Sequence, residues 1–142
     1  MSDDNIMNQQ QVAQAFRVDR TTVRAWTKRG LPFIQGDQGK ENQYYSGLTM
    51  WWVLGDEFAR NDGLEELSAI QKIIYARCMA TEIHRKDGIC TDEDMASEEI
   101  MIGMLSVIGV DPVDVVRDVS FVKGLISGRG QGKQRKRKRK KI

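Results

Sequence analysis

Residues 11–29 carry two short bursts of apolar positions at helical spacing. Val12, Ala13 and Phe16 mark the first, and Val23 and Trp26 the second. Between them Arg17-Val18-Asp19 reads as a tight turn, with Phe16 and Val18 as partners of the second apolar seam. The spacing predicts a second helix that starts at Arg20 and stops at Gly30. Asp19 stands at its N-cap, where a carboxylate can accept from the free amides of the first turn. Gly30 suits the left-handed position after the last helical residue, and Pro32 blocks re-entry. Polar residues of this helix sort to another face: Arg20, Arg24 and Lys28 recur every four positions, flanked by Thr21, Thr22, Thr27 and Arg29.

Beyond the helix, Phe33-Ile34-Gln35 and Gln43-Tyr44-Tyr45 can pair as short strands around a loop of turn formers, Gly36 to Asn42. A further helix is expected from Ser46 to about Arg60, with Leu48, Trp51, Trp52 and Phe58 as its large apolar residues. Adjacent tryptophans cannot face the same way on a helix. Packing is the favoured role of Trp52, ahead of base stacking. Residues 1–7 are polar and expected to be loose. Asn61-Asp62-Gly63 is a break, so the first domain is drawn at 1–60: two helices and a turn, a hairpin, and a third helix, the parts of a winged helix-turn-helix.

The rest of the chain is helical in pattern. Leu64, Leu67, Ile70, Ile73, Ile74, Cys78, Met79 and Ile83 predict a helix over 64–87, apolar on more than one side, ending at Gly88. A second helix is expected from Thr91 through Ile100, Met101, Met104, Leu105 and Ile108 to Gly109. Asp92, Glu93 and Asp94 in its first turn suit the helix dipole better than a metal-dependent nuclease cluster. Asp111 as cap and Pro112 at the first position open a third, with Val115, Val116, Val119, Val122 and Ile126 as its apolar face. Three helices this apolar exceed what one small domain needs to bury, so 61–128 is read as a self-association domain. The fold class is therefore mainly α: a winged helix-turn-helix, a helical oligomerisation region, and a basic tail over 129–142 that has almost nothing to bury and is expected to be disordered.

Charge changes this picture. The formal net charge of the 142 residues is +2, but 129–142 hold nine Lys and Arg and no acid. The remaining 128 residues then carry 13 basic and 20 acidic side chains, so the body is acidic. DNA binding must be local, at the second helix, the loop and the tail. An Arg/Thr-rich helix face suits the major groove, because Arg pairs bidentately with guanine and Thr reaches phosphates or a thymine methyl. The candidate DNA contacts are Arg17, Arg20, Thr21, Thr22, Arg24, Lys28, Arg29 and Lys40, with Gln38 and Asn42 beside Lys40 in the loop. In the tail they are Lys133, Arg135, Lys136, Arg137, Lys138, Arg139, Lys140 and Lys141, which would bind phosphates with strong salt dependence or dock on an acidic partner.

Enzyme chemistry finds no support in the pattern. Gly36 to Glu41 is too short for a phosphate loop and has Glu41 where Ser or Thr should hold the metal; Gly128 to Lys133 fails similarly, with Gln134 after the lysine. Cys78, Cys90 and His84 lack paired zinc spacing, and Cys78 suits a helix core. No cofactor or metal is expected. No apolar run reaches membrane-spanning length, and no signal-peptide pattern opens the chain.

The order of parts resembles the small terminase subunits of tailed bacteriophages. The likeness rests on Gln11-Val12-Ala13-Gln14-Ala15-Phe16, Val23-Arg24-Ala25-Trp26, Gly30-Leu31-Pro32 and the glycine-containing loop before Tyr44-Tyr45, over about residues 8–60. Lambda-like small terminases carry a similar winged module, followed by an oligomerisation region and a charged tail. The resemblance implies a non-enzymatic protein in the cytoplasm of an infected bacterial host. It would assemble as a ring, bind the packaging start site on viral double-stranded DNA, and engage a large terminase subunit that holds the ATPase and nuclease. Excisionases and MerR-type regulators look similar in this module, so a dimeric transcription regulator and a DNA-bending accessory protein are the alternatives.

Overall fold

A computed structural model describes residues 6–88 and 97–140, excluding the side chains of 85 and 129–140. Six helices and one two-stranded sheet are present among them. The chain divides into two compact units, residues 1–76 and 77–142. The first extends past the break at 61–63 and takes in the first half of a helix that begins at Ala69.

In the first unit, β1 (Ile6–Asn8) leads directly into α1 (Gln9–Phe16). Asn8 Oδ1 accepts from the Gln11 amide, and Gln11 Oε1 accepts from the Asn8 amide, both at 2.8 Å. This reciprocal cap satisfies two of the donors a helix start leaves open. The Arg17 amide then donates to Gln14 O and the Val18 amide to Ala13 O, with Arg17 in the left-handed region at φ 56°. The same closing pattern ends α2 (Arg20–Lys28): the Gly30 amide donates to Thr27 O and the Leu31 amide to Trp26 O. Gly30 has φ +114°, as the sequence requires, and a side chain there would also press on Ala69 Cβ at 3.3 Å. Asp19 is the N-cap of α2, but its carboxylate makes no cap hydrogen bond; only its carbonyl accepts, from Thr22 and Val23.

The sheet differs from the expected hairpin. Strand β2 (Gln43–Tyr45) pairs antiparallel with β1, with Met7 opposite Tyr44. The 33–35 segment joins it through one bridge, Ile34 to Gln43. Residues 6 and 7, expected to be loose, are thus strand residues. Three residues are too few to show a period, so their partner came from outside the local pattern. Between Ile34 and Gln43, Asp37–Lys40 forms a turn closed by the Lys40 amide on Asp37 O, with Gly39 at φ +73°.

Helix α3 (Ser46–Asn61) and the start of α4 (Ala69–Lys86) complete the unit. The predicted helix over 64–87 begins later than expected. Ser68 and Gln71 cap one another there, and Leu64–Leu67 forms a turn after Gly63. The core gathers Val12, Val23, Trp26, Leu31, Tyr44, Leu48, Trp52 and Ala59, all buried. Trp52 packs as expected, fully buried and 6.4 Å from Trp26. Gly55 sits at the tightest point of α3 and α4: a Cβ there would lie 1.9 Å from the backbone oxygen of Lys72.

In the second unit, α5 (Glu98–Ser106) is capped by Ser97 Oγ, which accepts from the Ile100 amide. The expected start at Thr91, with the acids at 92–94, lies outside the described residues, as does Cys90. Gly109 turns the chain at φ +80°, and α6 (Pro112–Lys140) opens as expected, with Asp111 Oδ1 accepting from the Val113 amide. Met101, Leu105, Val115, Val119 and Val122 are buried. Val113, Val116 and Phe121 occupy other faces of α6 and stay exposed. The backbone of 129–140 continues α6. No helix among the described residues is long and apolar enough to cross a membrane.

Candidate nucleic-acid interface

Helix α2 owes its place to its seam. Val23 and Trp26 are buried, and Phe16 meets the Trp26 ring edge-on at 5.6 Å. That packing turns the rest of the helix outward. Arg24 and Lys28 are exposed, as are Arg20 and Thr21 beside them. Thr22 is half-buried. Thr27 turns inward, its hydroxyl donating to Val23 O at 2.9 Å and lying 3.0 Å from the Tyr44 hydroxyl. Arg17, exposed in the turn before α2, keeps its left-handed backbone although it has a side chain. Such a conformation costs a non-glycine residue about 1 kcal/mol.

The loop after α2 also divides. Lys40 is exposed at the turn. Asn42 is used internally, its Oδ1 accepting from the Gly36 amide at 3.1 Å. Arg20 reaches back to this loop, 3.4 Å from Glu41, and to Gln9 at 3.5 Å. Both partners of that ion pair are about half-exposed, so it is worth little in water and yields readily to a competing anion. The tail candidates Lys133, Arg135, Lys136, Arg137, Lys138, Arg139 and Lys140 fall on the backbone of α6, and Lys141 lies outside the described residues.

Arg29 departs from the outward stripe. Its Nη2 donates to Asp56 Oδ2 at 2.6 Å. Asp56 is buried on α3 and also accepts from Lys72 Nζ of α4 at 2.9 Å, while Arg60 Nε lies 3.4 Å away. The Trp52 ring has Arg29 Cζ at 5.8 Å and Lys72 Nζ at 5.5 Å from its centroid. Burial works against the charge on Asp56. The hydrogen bonds from Lys72 and Arg29, with their positive charges, outweigh it and hold the carboxyl below its ordinary value. This cluster fixes the C-terminal end of α2 to α3 and α4. Sequence reasoning missed Asp56, Arg60 and Lys72. One signal was available: Asp56 follows Leu48 and Trp52 at four-residue spacing, a carboxylate in an apolar seam.

No protein-family model matches the chain, and no curated protein matches it. Among the described residues no group of His, Cys, Asp and Glu could hold a metal. Cys78 is buried on α4, as a helix-core residue should be.

Proposed function

We propose that the protein is a non-enzymatic, sequence-selective DNA-binding subunit that acts as a homo-oligomer, with α1, α2 and the loop after α2 serving as a winged helix-turn-helix. The carrying observation is α2 itself. A buried Val23–Trp26 seam presents Arg24, Lys28 and Thr21 together on the outward side. Arg20 and Lys40 stand beside them, and Arg17 keeps an unfavourable backbone that glycine would relieve. In an acid-rich body this local concentration of cations suits a duplex groove. Self-association is supported by Val113, Val116 and Phe121, exposed on α6 away from its buried valines.

The specific role that fits these parts is that of a phage small terminase subunit in the host cytoplasm. It would be a ring that marks viral double-stranded DNA for packaging and recruits a large ATPase-nuclease subunit. Two measurements test the reading. After selection of a preferred duplex from random sequences, Arg24→Ala weakens binding to it by about 1–3 kcal/mol with the fold intact; unchanged binding removes α2 as the recognition element. Native mass spectrometry of the full chain gives one closed assembly of many subunits. A dimer favours the transcription-regulator alternative, and a monomer removes the packaging role.

A further inference from the structure

The Asp56 cluster leaves two guanidinium groups side by side at the C-terminal end of α2. Arg29 and Arg60 both approach Oδ2 of Asp56, at 2.6 and 3.4 Å, so their nitrogens lie within about 6 Å of each other. Their side chains are 39% and 53% exposed. A guanidinium carries five N–H donors, and the contact with Oδ2 engages one nitrogen of each. With Lys72 on Oδ1, three cations meet one carboxylate, a local surplus of positive charge. Two exposed cations held together by a buried anion are a poor arrangement for stability alone, since each repels the other. They are well arranged for an anion with several acceptor oxygens.

We infer that Arg29 and Arg60, held by Asp56, form a clamp for a backbone phosphate of DNA at the flank of the groove that α2 enters. The inference rests on the DNA-binding reading above and adds a contact on α3 that lies outside the helix-turn-helix. Geometry supports the placement. A helix of nine residues is about 14 Å long, close to the roughly 12 Å width of the major groove, so its end emerges beside a phosphate strand. Arg29 stands at that end. Asp56 and the Trp52 ring hold its guanidinium in place before DNA arrives, which lowers the entropy lost on binding. The clamp reads no bases: it adds affinity and fixes the register in which Arg24 and Lys28 meet the bases.

The test is the salt dependence of binding to a short, mixed-sequence, fluorescently labelled duplex, measured with the full chain. Arg60→Gln is the variant of choice: the side chain is half-exposed, and Asp56 keeps Arg29 and Lys72 as partners. Its melting curve should match that of the natural chain. Its binding should weaken on every duplex, with a log–log salt slope shallower by about 1. The binding deficit is then about fourfold larger near 50 mM than near 200 mM salt. Arg60→Lys keeps the charge and restores most of the slope. Weaker binding with an unaltered slope overturns the clamp, because the loss is then structural. If Arg60→Gln binds normally while Arg24→Ala does not, the clamp is refuted and the DNA reading stands. If neither substitution alters binding to DNA, the interface itself is refuted and the clamp with it.

Discussion

Replacing Asp56 by Asn tests the account of what holds α2 in place. Asp56 and Lys72 are 3% and 6% exposed in their side chains and 2.9 Å apart. Neutralising the carboxylate leaves the Lys72 ammonium buried with no counter-charge, a loss of about 3–5 kcal/mol. Asn can still accept one hydrogen bond, so the lower end is expected. The half-exposed Arg29 and Arg60 pairs add at most about 1 kcal/mol each. For a unit of this size, about 3 kcal/mol lowers the melting temperature by roughly 12–24 °C. Urea unfolding followed by tryptophan fluorescence measures the change directly, because Trp52 lies against Lys72. The midpoint should fall at an unchanged slope. Lys72→Met in the same chain removes the stranded charge, so the double variant should lose less than the two single losses added together. The acid limb gives a second check. The carboxyl titrates below its ordinary value when folded. Its contribution is therefore complete above the unfolded pKa, about 3.9, and disappears as pH falls through the lower folded value. Asp56→Asn should flatten that limb. A loss under about 1 kcal/mol, the scale of an exposed pair, would mean that the buried Asp56–Lys72 pair does not hold these helices together.

Two further substitutions probe positions where backbone geometry decides. Gly55→Ala places a methyl group 1.9 Å from the Lys72 carbonyl oxygen; it should cost about 3 kcal/mol, the upper end for overpacking, and an unshifted urea midpoint would mean that α3 and α4 part without penalty. Arg17→Gly relieves the left-handed backbone at φ 56° and should raise stability by up to about 1 kcal/mol while weakening DNA binding; higher stability with unaltered affinity would show that the side chain makes no contact.

Much of the helical part was legible because its determinants are local. The seams of α1 and α2, the turn at Arg17–Asp19, the break at 61–63 and the Asp111-Pro112 start are set by residues within a few positions of one another. These include the apolar spacing, the caps, and residues suited to particular backbone angles. Local pattern also misled. Leu64 and Leu67 fit a helical period, but Ser68 and Gln71 cap the helix after them.

A mainly helical chain, an outward basic stripe at Arg24 and Lys28, and an acidic body with a basic end can all be read along the chain. Each of these depends on composition or on neighbours along one helix. Packing in three dimensions sets Ile6–Asn8 as the partner of β2, makes Asn42 brace its own loop, and has Arg29 share Asp56 with Arg60 and Lys72. Those facts pair residues far apart in the chain. The partner of a three-residue strand, or of a buried carboxylate, is chosen by which groups the packed core brings within hydrogen-bonding distance, and no periodicity along the chain encodes that choice.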